Sequence, residues 1–306
     1  MLLQDSMGNT LPISDITQGS SQVVGPGVSS ALQPEVNRYF HERADVWKQY
    51  YEATNLKSRI YQARKDRALA WIDELGLPPR SPVLEVGCGA GFTTLSLAQR
   101  GYDVTAFDSV STMLDLTRQA ARDFGLQIQV RTALGDVHRL QFRDGEFHLV
   151  IALGVLPWLH SPQVAIREIK RVLKPGGYAV MTVDNAWRLS YVLEPTQCPP
   201  LQGLRAAVSH SLRVLRLRRY LPDANLSRRH RPQQLDNALK AAGFVSMRGA
   251  TVGFGPFTFL DRPLLSDASG TKLHQKLQAW ADQGIPLLRS MGSHYVVLAR
   301  VQSQQP

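Results

Sequence analysis

The sequence predicts an α/β fold in which helices cover both faces of a parallel sheet, and three observations lead to this prediction. From residue 82 onward, short apolar runs alternate with amphipathic runs that have helical spacing. Turns that contain glycine or proline separate the two kinds of run. The short runs are almost wholly apolar, which is typical of strands buried on both sides. A chain of 306 residues is long enough for one large domain with additions, or for two small domains.

The predicted elements form a leader, a cap and a core. Residues 1–33, rich in Ser, Gly, Gln and Pro, predict a disordered leader, and residues 34–80 have the helical spacing of an N-terminal cap. Residues 81–302 predict the core, which is interrupted by insertions at 186–231 and 253–293. The predicted core strands are 83–86, 102–107, 127–134, 147–153, 178–183, 244–252 and 294–301. The predicted core helices are 92–100, 111–124, 162–173 and 232–244, and a KPGG turn at 174–177 precedes the fifth strand.

The segment PVLEVGCGAGFTTLSLA, residues 82–98, joins the first strand to a helix through a glycine turn. Its glycines have the spacing GxGxG, and Phe92 occupies the place of the third glycine in the dinucleotide-binding pattern GxGxxG. The Gly-Lys-Ser/Thr sequence of a P-loop does not follow. The turn therefore fits neither nucleotide pattern, and tight packing of a strand against a helix is the alternative to a cofactor site.

The same segment resembles motif I of the class I S-adenosylmethionine-dependent methyltransferases, a Rossmann-like family. Glu85 and the three glycines fit the fixed positions of that motif, and Asp108 and Asp136 follow the second and third strands as in the family. The stretch at 146–182 resembles the family's fourth and fifth strands. The resemblance implies a doubly wound seven-stranded sheet of order 3-2-1-4-5-7-6 with the last strand antiparallel. It also implies S-adenosyl-L-methionine as the cofactor.

The resemblance further implies which residues bind this cofactor. The Asp108 carboxylate would accept hydrogen bonds from both ribose hydroxyls. Asp136 would accept one from the adenine amino group, and the backbone N–H of Val137 would donate to a ring nitrogen. The complete predicted set is Glu85, Gly87, Cys88, Gly89, Gly91, Asp108, Ser109, Asp136, Val137 and Leu153.

Two candidate catalytic residues follow the fourth and fifth strands. His160 is placed to act as a general base, with packing on Trp158 as the alternative. Asp184 is placed to contact the methyl acceptor, although Asp184-Asn185 is also a common turn sequence. We find no cluster of His, Cys, Asp and Glu with metal-ligand spacing, so the sequence predicts no metal.

Aromatic residues recur at helical spacing in the predicted cap. They are Tyr39, Phe40, Trp47, Tyr50 and Tyr51. Such a pattern is typical of core packing, but in many members of the family the same region folds over the cofactor as a lid. Both interpretations stay open at this point.

The formal net charge of +10 favours acidic partners. Residues 205–231 hold eight arginines and one acid, Asp223. They fit a basic helix on an anionic membrane surface, a phosphate-binding groove for RNA, or a solvated face without a partner. Between the two partners the membrane is favoured over RNA, because the segment is also rich in leucine and residues 251–265 add an apolar, aromatic wall. The solvated face without a partner stays open.

Two cysteines, the absence of a signal-like leader and the absence of a run of about 18 apolar residues predict a cytoplasmic protein, with peripheral contact at the membrane. The Asn/Asp-Pro-Pro-aromatic motif of DNA amino-methyltransferases is absent, which makes nucleic acid a less favoured acceptor. We therefore expect methyl transfer to O or C of a small or lipid-like molecule, such as a quinone, tetrapyrrole or lipid precursor. The alternatives are an RNA or protein methyltransferase, and a non-catalytic protein that binds S-adenosylmethionine and serves as a partner.

Overall fold

The computed structural model describes residues 32–195, 197–198, 230–260 and 262–302. Its strands are β1 (Pro82–Val86), β2 (Asp103–Asp108), β3 (Val130–Leu134), β4 (Phe147–Ala152), β5 (Leu173–Asp184), β6 (Phe244–Val252), β7 (Thr258–Phe259), β8 (Arg262–Pro263) and β9 (His294–Val301). Seven of them form one sheet in the order β3-β2-β1-β4-β5-β9-β6, and β7 pairs with β8 in a short hairpin. Strands β1 to β5 are parallel, and β9 runs antiparallel to both β5 and β6. The predicted order is confirmed, with β9 as the seventh strand of the sheet.

The helices cover both faces of this sheet. They are α1 (Leu32–Glu42), α2 (Ala44–Glu52), α3 (Leu56–Asp73), α4 (Phe92–Ala98), α5 (Ser111–Asp123), α6 (Pro162–Val172), α7 (Leu189–Leu193), α8 (Pro232–Ala241) and α9 (Asp267–Asp282). Ile72 of α3 and Leu97 of α4 belong to the core on one face, whereas Ile166 of α6 and Leu239 of α8 belong to the core on the other. The arrangement is therefore doubly wound, as the alternating runs predict.

Local sequence explains why the helices begin and pack where they do. Asn55 precedes α3, and its side chain accepts a hydrogen bond from the Ser58 N–H at 2.9 Å, which satisfies a free donor of the first turn. Pro162 occupies the first turn of α6, where its fixed φ suits a helix start. Further along α6, Ile166 and Ile169 are three positions apart and fully buried, so one face of the helix lies against the sheet.

Besides shifts of one to three residues at the ends of other elements, the structure differs from the prediction in three places. The third strand begins at Val130 instead of 127, because turns occupy the preceding residues. The KPGG segment lies within β5, since Leu173 already pairs with Phe147 and a register shift follows between Phe147 and Leu149. The 253–293 insertion contains the β7–β8 hairpin and α9, a helix that the sequence pattern did not reveal.

Parts of the predicted leader and of the arginine-rich insertion lie outside the described residues. The first residue that the structure describes is Leu32 of α1, which belongs to the predicted leader. Residues 199–229 of the predicted insertion are not among the described residues. Among the helices that are described, none combines the length and apolar character needed to cross a membrane.

Candidate functional site

A cavity of about 1080 Å³, including space open to solvent, lies where β1, β2, β4 and β5 end. The carboxyl ends of parallel strands are the usual ligand-binding edge of an open α/β sheet. Seven predicted cofactor residues line the cavity: Glu85, Gly87, Cys88, Gly89, Asp108, Ser109 and Leu153. The candidate catalytic residue Asp184 lines it as well. The structure thus brings most of the predicted site into one place.

The conformation of the glycine turn requires glycine at three of its five positions. Gly87, Gly89 and Gly91 have φ of 67°, 55° and 84°, in the left-handed region that other residues rarely adopt. A Cβ on Gly87 would overlap Cγ2 of Val155, which shows how closely the turn approaches the end of β4. The exposed backbone of this turn forms part of the cavity wall.

We expect Gly87→Ala to destabilise the fold more than Gly125→Ala. Gly125 has nearly the same φ, 68°, but an added Cβ there meets no atom within 4 Å. The two variants therefore share the cost of a left-handed alanine, about 1–2 kcal/mol, and only Gly87→Ala also overlaps the stiff Val155 side chain. Urea unfolding should show that the free energy of unfolding falls by about 1–3 kcal/mol more in Gly87→Ala than in Gly125→Ala. If the free energy of unfolding fell equally in both variants, Val155 would move away from the added Cβ at no cost, and the close approach would not affect stability.

Glu85 lies at the end of β1 beneath the turn and is 3% exposed. The Thr94 hydroxyl donates a hydrogen bond to its carboxyl group. Burial raises the pKa of Glu85 to about 8, more than the hydrogen bonds from Thr94 and Thr93 lower it. A pKa of about 8 favours the protonated carboxyl at neutral pH.

Asp108, at the end of β2, connects the turn to the next helix. Its Oδ2 accepts a hydrogen bond from the Gly89 N–H, and its Oδ1 accepts one from the Val110 N–H, both at 3.0 Å. Burial raises the pKa of Asp108, although these backbone hydrogen bonds oppose the shift. Next to it, the Ser109 hydroxyl donates to Asn37 Oδ1 of α1 at 2.9 Å. The carboxylate keeps lone pairs for a ligand on its cavity side.

Three predicted cofactor residues, Gly91, Asp136 and Val137, are not among the cavity-lining residues. Gly91 instead caps α4, and Val137 is buried in the core. Asp136 accepts a hydrogen bond from the His138 N–H at 2.9 Å. Although partial burial acts in the opposite direction, the His138 bonds hold the pKa of Asp136 below its ordinary value. The adenine contact assigned to Asp136 and Val137 stays a prediction.

The two candidate catalytic residues have different surroundings. The His160 ring stacks on His138 with centroids 3.7 Å apart and does not line the cavity. Asp184 lines the cavity, with its side chain 27% exposed and Oδ1 3.6 Å from Nε2 of His294. Asp184 and His294 are direct partners in the β5–β9 register. Asp184 therefore lines the cavity and His160 does not, and the catalytic role assigned to each stays a prediction.

The cap aromatics pack on one another and also face the cavity. Phe40 and Trp47 line it together with Trp158, whose ring is 4.9 Å from that of Phe40 and 6.4 Å from that of Trp47. Tyr51 lines it as well and stacks on Phe92 at 5.2 Å. The other two predicted aromatics, Tyr39 and Tyr50, stack on Trp158 and Tyr61 respectively. Helices α1 and α2 thus supply an aromatic wall of the cavity, which agrees with the packing interpretation, and the lid role stays a prediction.

Arg64 and Tyr61 of α3 also line the cavity, and the sequence analysis missed both. Arg64 is 6% exposed and donates a hydrogen bond to the Tyr51 hydroxyl at 2.6 Å. A Cβ on Gly154 would overlap its guanidinium, so the charge lies directly against the end of β4. In the sequence Arg64 is one of several basic residues in α3, and no motif distinguishes it from them.

Comparison with known proteins agrees with the fold and the glycine turn. Residues 84–181 match a family model described as a methyltransferase domain. This range runs from β1 to β5 and includes Glu85, the glycine turn, Asp108 and Asp136. Residues 84–181 therefore form a methyltransferase domain, and the sheet has the Rossmann-like order that the resemblance implies.

Among curated proteins, the chain is similar to ubiquinone biosynthesis O-methyltransferases. It is 31% identical to the protein of Pseudomonas paraeruginosa over 115 residues, which are 38% of this chain and 49% of that protein. It is 28% identical to the Bordetella avium protein over 196 residues, which are 62% of this chain and 73% of that protein. The chain thus spans about half the length of the first of these relatives.

Among solved structures, the fold is similar to that of magnesium protoporphyrin IX methyltransferase from Synechocystis, with a TM-score of 0.58. That similarity covers 88% of this chain and all of the other chain, at 16% sequence identity. At this identity the comparison shows a shared fold.

Proposed function

We propose that this protein transfers a methyl group from S-adenosylmethionine to a small, partly apolar acceptor, at O or C. The observation that carries the proposal is that the motif I turn and the aromatic wall share one cavity. The ubiquinone and magnesium protoporphyrin IX methyltransferases similar to this chain are named for small-molecule acceptors, which agrees with it.

The residues present fit the cofactor. Asp108 offers carboxylate lone pairs for the ribose hydroxyls, and the turn from Gly87 to Gly89 offers backbone groups at close range. Arg64 is a buried cation whose Nε has no hydrogen-bond partner among the described residues, so a carboxylate in the cavity would satisfy it. Glu85 lines the same cavity, where a cationic amino group of the ligand would favour the ionised form of its carboxyl group. When bound, the cofactor supplies a methyl group already activated by a sulfonium.

The chain's own task is then to align an acceptor and to exclude water. Holding two reactants in near-attack geometry supplies roughly 7–11 kcal/mol of barrier reduction. Phe40, Trp47 and Trp158 form flat apolar surfaces on which a conjugated acceptor would stack. Because α1 and α2 form part of the cavity wall, the site suits a molecule that enters the cavity better than a polymer bound along an open groove.

Labelling identifies the acceptor class. The purified protein is incubated with methyl-labelled S-adenosylmethionine and whole-cell extract, and the label is then partitioned between organic solvent and precipitable macromolecule. We expect label in the organic phase, and no transfer above background for Asp108→Asn. Label in the precipitate would instead support an RNA or protein methyltransferase. Cofactor binding without transfer to either fraction would support a non-catalytic partner protein.

We propose in addition that residues 205–231 contact anionic membranes. This rests on the sequence, because residues 205–229 lie outside the described part of the chain. Liposome flotation should then require anionic lipid and decline with salt. Flotation that is insensitive to both would contradict the proposal.

A further inference from the structure

Three polar residues of α1 lie four positions apart and therefore share one face of the helix: Gln33, Asn37 and His41. This face meets the segment that follows β2. The Ser109 hydroxyl donates to Asn37 Oδ1 at 2.9 Å, and His41 Nδ1 lies 2.5 Å from the Thr112 hydroxyl. Two side-chain contacts thus hold α1 beside the end of β2, where the ribose of the cofactor is expected.

The side-chain amide of Gln33 has one hydrogen-bonded atom and one free atom. Its Nε2 donates to Asn37 Oδ1 at 2.9 Å, while its buried Oε1 has no hydrogen-bond partner among the described residues. Gln33 also lines the cavity, as Asp108 and Ser109 do. Buried polar atoms in folded proteins are nearly always hydrogen-bonded. An acceptor without a partner in the wall of a ligand cavity therefore indicates a ligand that donates a hydrogen bond to it.

The position of Gln33 narrows the donor to one end of the cofactor. S-adenosylmethionine carries donors on its cationic amino group, its two ribose hydroxyls and its adenine amino group. The cationic amino group is expected near Glu85 on β1. Asp108, which is expected to bind the ribose, is followed directly by Ser109, and Ser109 shares the acceptor Asn37 with Gln33. Gln33 is thus linked to the ribose side of the site, so the donor belongs to the adenosine end.

We propose that Gln33 is a cofactor-binding residue, whose Oε1 accepts a hydrogen bond from a neutral O–H or N–H donor at the adenosine end of S-adenosylmethionine. The proposal rests on the proposed function and adds a contact to the same site. This contact comes from outside the matched domain of residues 84–181. Phe40, two turns further along α1, belongs to the aromatic wall. One helix would then contact the cofactor through Gln33 and the acceptor through Phe40.

The test measures binding to the whole protein by calorimetry, with S-adenosylhomocysteine and three analogues as probes. In S-inosylhomocysteine an oxygen replaces the adenine amino group, and the 2′-deoxy and 3′-deoxy forms each lack one ribose hydroxyl. The variant is Gln33→Met, which keeps the length of the side chain and a high helix propensity. The matched control is Gln233→Met, because Gln233 Nε2 donates to Asn237 Oδ1 four positions further along α8, at 3.2 Å, and does not line the cavity.

We expect Gln33→Met to bind S-adenosylhomocysteine roughly three- to tenfold more weakly than wild type, since a neutral hydrogen bond is lost. The analogue that lacks the donor has no such bond to lose, so wild type and variant should bind it equally, within about twofold. The analogue for which the difference disappears identifies the donor as the amino group or as one of the hydroxyls. Gln233→Met should bind all four probes as wild type does.

A structural role of Gln33 gives a different result. If the substitution only loosened α1, Gln33→Met would weaken the binding of all four probes by the same factor, and the inference would be overturned. Unchanged affinity for S-adenosylhomocysteine, or an equal loss in Gln233→Met, would overturn it as well. Melting temperatures measured in parallel show that both variants are folded. Failure of wild type to bind S-adenosylhomocysteine would contradict the proposed function itself.

Discussion

Asp108→Asn is expected to weaken S-adenosylhomocysteine binding by about 100-fold or more. The substitution removes a charged acceptor for two ribose hydroxyls, and each hydrogen bond to a charged group is worth about 1.5–3 kcal/mol. It also places an amide nitrogen against backbone N–H groups, because Asp108 accepts from both Gly89 and Val110. Calorimetric titration of wild type and variant measures the loss directly.

Asp103→Asn is the matched control, since it makes the same chemical change at the other end of β2. It should leave the affinity for S-adenosylhomocysteine unchanged. The internal hydrogen bonds of Asp108 mean that its substitution also loosens the glycine turn, so the melting temperature is measured in parallel. A folded Asp108→Asn protein with wild-type affinity would refute the ribose assignment.

Glu85→Gln is expected to change how the stability of the protein depends on pH. In the folded protein the pKa of Glu85 is raised from 4.5 to about 8, so the folded state keeps a proton that the unfolded chain releases above pH 4.5. Stability from this proton is fully present below pH 4.5 and is lost as pH rises through 8. At 1.36 kcal/mol per pKa unit, the loss is about 5 kcal/mol. Glutamine keeps the shape and an oxygen for the Thr94 hydroxyl but does not ionise.

Urea unfolding of both proteins from pH 5 to pH 9 measures this effect. Other groups, including the buried His294 with its lowered pKa, titrate in both proteins and cancel in the difference. Relative to wild type, Glu85→Gln should become more stable by several kcal/mol as the pH rises. If the difference in unfolding free energy between wild type and Glu85→Gln did not change with pH, Glu85 would be ionised in the folded protein.

The sequence contains the parts of the site that form within a few residues. Glu85 lies in one short strand and the three glycines of the turn follow it directly, where their positive φ explains the residue type. The sheet order is also predictable, but only through the resemblance to a known family, because periodicity reveals strands without their neighbours.

The remaining part of the site depends on distant contacts that no local pattern records. Arg64 reaches the cavity because α3 packs against Gly154, which follows the end of β4, and His294 meets Asp184 only through the register of β5 with β9. His160 follows β4 closely in sequence, yet its ring stacks on His138 and does not line the cavity. Position in the sequence gives the edge of the sheet on which a residue lies, whereas packing decides which way its side chain points.

The position of β9 has a consequence for biosynthesis. This strand is translated after every other strand of the sheet, yet it lies between β5 and β6. Until it emerges from the ribosome, β5 and β6 both present unpaired edges, and Asp184 lacks the neighbour that β9 provides. The sheet therefore closes only after synthesis has passed Val301, and nascent chains depend until then on protection from aggregation. A chain interrupted before His294 would leave β5 and β6 without their shared partner and would expose the apolar edge of β5.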